Sequence, residues 1–357
     1  MASGLDDVVA AETVLSDVDG VAGRLTIRGH AVSAIAGRWT FEDVAMLLLD
    51  GFFDDLADLP RRLGEARLDV HHRLAGVLPE LAAAGPFDGQ RAGIAFLPDG
   101  ATLDDALRLI AAPAVLLPAI IRAGLGTPLL SPDPSLPHAL DMQRMLTGSP
   151  DPARARALET YLVTVCDHGL NASTFAARVV ASTRAGLASS VLAGLSALKG
   201  PLHGGAPGPV IAMLDAIERD GDAGRWLEAA ITRGERIMGF GHRIYRTRDP
   251  RADALKAALR RLAGDGGHAR LAFAEQVERT ALEVLRVAKP HRTLQTNVEF
   301  YTALLLEAVG FPPDAFTGVF AAGRVLGWIA HAREQALTGR LIRPQSLYVG
   351  PRPELAA

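Results

Sequence analysis

Only one cysteine, Cys166, occurs in the 357 residues, so no intrachain disulfide can form and a reducing, cytoplasmic setting is expected. Lysine is nearly as scarce: Lys199, Lys256 and Lys289 are the only three, so almost all positive charge is guanidinium. Neither sign of charge dominates. The 37 basic and 40 acidic side chains leave a formal net charge of −3, which offers no global field to nucleic acid. An anionic substrate must therefore be gripped by a local cluster of arginines. The first residues, Met1 to Asp7, carry two acids but no basic or apolar leader region, unlike a signal peptide. The longest uncharged apolar stretch runs only from Leu109 to Ile121 and contains Pro113 and Pro118. It reads as a buried, kinked core helix rather than a membrane span.

Several common chemistries are missing as well. There is no G-x-x-x-x-G-K-[ST] phosphate loop and no G-x-S-x-G nucleophile elbow. Gly239-Phe240-Gly241 lacks the third glycine of a dinucleotide fingerprint. Cys166 and His168 lie two apart and would point to different faces of a helix, which disfavours a cysteine–histidine pair. His71-His72 lack metal-ligand spacing, and no metal is expected.

Hydrophobic residues make up 49% of the chain, enough for a sizeable core, and the length suits roughly two domains. Val8–Thr13 and Arg24–Arg28 flank an Asp19-Gly20 turn signal and suggest an N-terminal β-hairpin. Beyond residue 40 helical periodicity takes over, so the expected class is mostly α. Thr40 with Asp43 reads as a capping box opening a helix at Phe41 that ends near Gly51. Leu158, Tyr161, Leu162 and Val165 form one amphipathic stripe, and Pro312-Pro313-Asp314 signals another helix through Phe316, Val319 and Phe320. The Gly/Pro-rich stretch 200–209 is the best candidate hinge.

Four segments place ionisable residues in a glycine-rich or apolar frame: 167–173 around His168, 200–205 around His203, 238–251 around His242, and 297–301 around Glu299. Glycines beside His203 and His242 let the backbone approach a ligand closely. A helix starting just after Gly205 would favour a neutral, hydrogen-bonding His203. Arg246, Arg251 and Arg324 together suit a dicarboxylate and a phosphate-rich cofactor, because guanidinium grips such groups bidentately. Glu299, between Val298 and Phe300, would gain basicity from partial burial.

In this order the segments resemble the citrate synthase family, nearly end to end. The specific signals are Gly200-Pro201-Leu202-His203-Gly204-Gly205, and Met238-Gly239-Phe240-Gly241-His242-Arg243 followed by Asp249-Pro250-Arg251. The wording is nearest to shorter bacterial members, including a second, actinobacterial type that also reads Asn-Val-Glu. The resemblance implies a helical homodimer whose subunit has a large domain, 1–204 with 309–357, and a small domain, 205–308. It implies condensation of acetyl-CoA with oxaloacetate and then thioester hydrolysis, with no tightly bound cofactor. His203, His242 and Glu299 would be catalytic. His168, Arg251, Arg324 and Arg343 would hold oxaloacetate, with Arg343 reaching the neighbouring subunit. Arg246, Gly239, Phe240 and Gly241 would contact CoA. Two departures stand out: Glu299 replaces the usual aspartate, and Pro207-Gly208-Pro209 replaces the Asn-Glu that commonly follows Gly-Gly-Ala. The alternatives are a 2-methylcitrate synthase using propionyl-CoA, and a weakly active or inactive paralogue that binds CoA or dicarboxylate.

Overall fold

The computed structural model describes residues 5, 8–204, 207–242, 244–245, 247–264, 269–292 and 294–351. Arg246, expected at the CoA site, lies outside them. The chain opens with a three-stranded antiparallel sheet: β1 (Ser16–Asp19), β2 (Arg24–Ile27) and β3 (His30–Ala31). Ser16 pairs with Ile27 and Asp19 with Arg24, so the turn covers the four residues between. Asp19 organises it by accepting from the backbone N–H groups of Val21 and Ala22. A hairpin exists as expected, but its first strand is 16–19, and Val8–Thr13 has no sheet partner. The reason is tertiary. The Val14 N–H is taken by Glu334 Oε1 at 2.9 Å, and the Glu12 carbonyl accepts from Arg178, so this segment bonds to helix side chains rather than to a ladder.

Apart from one bridge between Phe240 and Thr296, the regular elements in the rest of the described chain are helical. The first half holds α1 (Val32–Ile35), α2 (Phe41–Leu49), α3 (Leu59–Leu74), α4 (Leu78–Ala83), α5 (Pro86–Ala95), α6 (Leu103–Gly124), α7 (His138–Thr147) and α8 (Pro152–Val165). Then come α9 (Ala172–Ala181), α10 (Leu187–Leu198), α11 (Pro207–Asp220), α12 (Ala223–Thr232), α13 (Pro250–Ala263) and α14 (Ala269–Ala288). The last two are α15 (Val298–Val309) and α16 (Phe316–Thr338). Thr40 and Asp43 make the reciprocal capping box at the start of α2. Among the described residues α6 alone is long and apolar enough to cross a membrane, but 83% of its most apolar stretch is buried inside the protein. Packed among α3, α4, α5, α7 and α16, it is a core helix that accommodates Pro113 and Pro118.

Five helix packings position the site. Helix α8 carries α13, α15 and α16 on its sides. Helix α16 also lies against α9 and α10. The substituted prolines fall in the first turn of α11, where backbone N–H groups have no intrahelical acceptor, so they remove no helical hydrogen bond.

Candidate active site

One cavity of about 970 Å³ is lined by His168, His203, His242, Arg251, Glu299 and Arg324 together. Each arrives on an element terminus or a turn, except Arg324, which projects from within α16. His168 occupies the loop between α8 and α9. His203 stands in the turn after α10, where a Cβ on Gly204 would lie 2.6 Å from the Leu198 carbonyl, so only glycine closes that turn. Glu299 is in the first turn of α15, behind the Asn297 N-cap.

Gly239 and Gly241 have φ of +83° and +84°, a region that favours glycine. The segment they frame is fastened to the approach of α15. Gly241 N–H donates to Gln295 O at 2.8 Å, Asn297 N–H to Gly239 O at 3.0 Å, and Asn297 Nδ2 to Gly241 O at 2.8 Å. His242 and Glu299 are therefore held by one small backbone unit.

The electrostatics are lopsided towards donors. Burial, with Arg251 beside it, lowers His242 to about 4, and burial with Arg324 lowers His203 to about 4. Burial and the same two arginines hold His168 well below its ordinary range. All three rings are neutral near pH 7. His242 Nδ1 accepts from the N–H groups of Ile244 (2.9 Å) and Tyr245 (3.1 Å), so its proton resides on Nε2. That Nε2 lies 3.3 Å from Arg251 Nη2, another obligate donor, so an acceptor oxygen near both would relieve the contact. Arg251 itself is fixed bidentately by Asp249, at 3.0 and 2.8 Å. Arg324 is buried and donates Nε to Val165 O at 2.6 Å, while its Nη2 has no partner. Burial lowers it to about 10, so it remains charged at neutral pH. Glu299 Oε2 is also buried without a partner, and burial raises its pKa against the opposing pull of Arg236 and Arg251.

His203 Nε2 lies 2.8 Å from Ser173 Oγ, which also accepts from Trp328 Nε1 at 3.1 Å. Of the other expected residues, Gly241 lines the main cavity, and with Phe240 it lines an adjoining one of about 450 Å³. Gly239 lines neither; its role is steric, since a Cβ there would lie 2.8 Å from Phe300 Cβ. Arg343 is exposed in the segment after α16 and reaches neither cavity of its own chain. Sequence reasoning missed Arg236, which lines both cavities, and with it the cationic wall that Lys289 and Arg292 complete in the smaller one. Its position just ahead of Met238-Gly239 was the available signal.

Comparison with known proteins follows the same lines. The family model described as "Citrate synthase, C-terminal domain" matches residues 4–345. A protein of Acidithiobacillus ferridurans named citrate synthase is 36% identical over 371 residues, covering 98% of this chain and 95% of its own. A 2-methylcitrate synthase of Mycobacterium tuberculosis is 35% identical over 361 residues, covering 97% and 90%. The crystal structure of citrate synthase from Thermoplasma acidophilum, a ternary complex with carboxymethyl coenzyme A and oxaloacetate, superposes with a TM-score of 0.86. It is 28% identical and covers 100% of this chain and 98% of that one.

Proposed function

Because the chain belongs to the citrate synthase family, whose members are transferases condensing acetyl-CoA with oxaloacetate, we propose that the 970 Å³ cavity is its condensing site. The observation that carries this reading is the surplus of donors around one unpartnered carboxylate. His203, His242, Arg251 and Arg324 all present N–H groups to the cavity, and Glu299 is the buried carboxylate among them.

The chemistry needs that imbalance. Removing a weakly acidic α-proton from an acyl thioester requires a base at the carbon and a donor at the developing enolate oxygen. Glu299 takes the proton, and its burial raises its basicity. His203 stabilises the enol oxygen through Nδ1–H in the tautomer whose Nε2 accepts the Ser173 hydroxyl, which then turns from Asn171 Oδ1, its other acceptor at 2.8 Å. The enol carbon then attacks the ketone carbon of oxaloacetate, whose oxygen takes the His242 Nε2 proton and becomes the hydroxyl of the citryl thioester, and the proton held by Glu299 restores the histidine. Arg324 and Arg251 hold the carboxylates, with His168 beside them. Water finally cleaves the citryl thioester to citrate and CoA.

The smaller cavity, with Arg236, Lys289 and Arg292, suits the phosphates of CoA. Arg343, exposed on the C-terminal segment, supplies the partner subunit's site in a homodimer, and residues 205–308 close over bound substrate. Acetyl-CoA is the proposed acyl donor, with propionyl-CoA as the second reading, because a 2-methylcitrate synthase is among the relatives. One methylene separates the donors, a difference worth about 1–3 kcal/mol in a pocket.

The test is release of CoA thiol by purified protein with oxaloacetate and either acyl-CoA. Release that depends on oxaloacetate, with a higher kcat/KM for acetyl-CoA, is the expected result. A higher value for propionyl-CoA selects the second reading. No release from folded protein that still binds oxaloacetate sinks both and points to a non-catalytic paralogue.

A further inference from the structure

We propose that Ser16, in β1, is a positioning residue for the oxaloacetate subsite, acting through His168. Its hydroxyl holds both chain neighbours of that histidine. Ser16 Oγ donates to Asp167 Oδ2 at 2.5 Å and accepts from the Gly169 N–H at 2.9 Å. One atom, 151 residues away in sequence from Asp167, thus holds the side chain before His168 and the peptide N–H after it.

The clamp is built rather than incidental, because its other members are buried and their protons are assigned. Asp167 and His331 are both 0% exposed. Arg178, always a donor, gives Nη1–H to His331 Nδ1 at 3.0 Å, which leaves the His331 proton on Nε2. That proton is donated to Asp167 Oδ2 at 3.2 Å, the same oxygen that Ser16 holds. Arg178 is in turn paired with Glu334 at 2.5 Å, and Glu334 fixes the Val14 N–H two residues before Ser16. The buried pair therefore sets the register of the strand that delivers the hydroxyl.

His168 gains little orientation from elsewhere. Its ring makes one side-chain hydrogen bond among the described residues, Nε2 with Tyr245 Oη at 3.1 Å. Tyr245 belongs to the segment following His242, within the 205–308 stretch proposed above to close over substrate. The steady constraint on His168 is then its own backbone, held by Ser16 and by the Asn171 amide, which donates to His168 O at 3.4 Å. Removing the hydroxyl leaves Asp167 bonded to His331 alone and leaves Gly169 N–H without its acceptor.

The inference rests on the reading of His168 as an oxaloacetate contact, so the experiment includes that residue. Steady-state kinetics with oxaloacetate varied, and separately with acetyl-CoA varied, are measured for Ser16→Ala, Ser16→Thr and His168→Gln, together with thermal melts. Ser16→Ala is expected to raise the KM for oxaloacetate about tenfold, equivalent to one well-placed hydrogen bond. The KM for acetyl-CoA stays near wild type, and Ser16→Thr, which keeps the hydroxyl, restores oxaloacetate affinity. Wild-type KM in Ser16→Ala, or a loss confined to kcat with a lowered melting point, overturns the proposal. If Ser16→Ala does not fold, Ser16→Cys, a much weaker donor and acceptor of similar size, takes its place in the same comparison. A silent His168→Gln removes the reading of the subsite and the inference together. A strong His168→Gln effect beside a silent Ser16→Ala removes only the role of Ser16.

Discussion

Glu299 and the neutral histidines respond to acid in different pH windows, and the difference is measurable. Burial raises Glu299 above the ordinary 4.5, whereas His203 and His242 are lowered to about 4. On acidification the carboxylate protonates first, so the acid limb of kcat/KM should fall above pH 4.5 and report Glu299. Glu299→Gln should cut turnover by at least about 10²-fold at every pH while oxaloacetate still binds by calorimetry. Equal turnover in the variant would assign the base elsewhere. Stability also falls on acidification, but through the histidines. The two histidines bind protons in the unfolded chain near 6.5 but in the folded one only near 4, so the unfolded state holds more protons between these values. Their contribution to stability is therefore complete above pH 6.5 and lost as pH falls towards 4, which melts across that range would record. At this scale the sequence was informative where the frame is local: glycines beside His203 and His242, and apolar neighbours around Glu299. Ser16 and Trp328 carry no such frame, and Arg236 has only its place ahead of Met238-Gly239. Their importance arises only when chain segments far apart in sequence meet.

Helix α16 shows how an element can deliver two functional groups through one close approach. Arg324 and His331 are seven residues apart, two turns, and both engage the 165–168 segment. Between them Gly327 lets the helix come close, since a Cβ there would lie 2.3 Å from the Cys166 carbonyl and 3.0 Å from Asp167 Oδ1. Gly327→Ala should therefore cost about 1–3 kcal/mol of stability by overpacking and weaken oxaloacetate binding as well. A urea midpoint and an oxaloacetate KM both unchanged would show that the helix shifts freely. Thr40→Ala is the contrasting case. It breaks the capping box of α2, distant from the cavity, and should cost about 1 kcal/mol in urea unfolding without altering kcat or KM. The same contrast explains what was legible. Thr40 and Asp43 announce their helix within four residues, whereas the first strand was placed at 8–13 instead of 16–19. Its β-rich composition was outweighed by Glu334 and Arg178, which bind that backbone from the far end of the chain.

For the whole molecule, the proposed homodimer makes a demand that a monomeric site does not. If Arg343 completes the partner's site, His203→Ala and Arg343→Ala are each inactive alone but complementary when co-expressed. A hybrid dimer has one site with both residues intact and one with neither. Activity well above either parent, in a fraction set by the hybrid population, is the expected outcome. No recovery in a verified hybrid would place Arg343 outside the site. The family resemblance implies this sharing between subunits, but no local pattern near Arg343 displays it, because the residue is an exposed arginine on an irregular segment.

The span of the Ser16–Asp167–His331 connection also bears on how the protein comes into being. A ribosome releases the chain from its N-terminus onwards. The hydroxyl that steadies His168 is among the first functional atoms to emerge, and its other buried partners arrive last, on α16. Until that helix docks, the loop carrying His168 lacks Arg324, and Asp167 has no counterpart from His331. A polypeptide without α16 should therefore hold oxaloacetate only weakly, through Arg251 and the histidines, because the Arg324 contact and the brace on Asp167 arrive together.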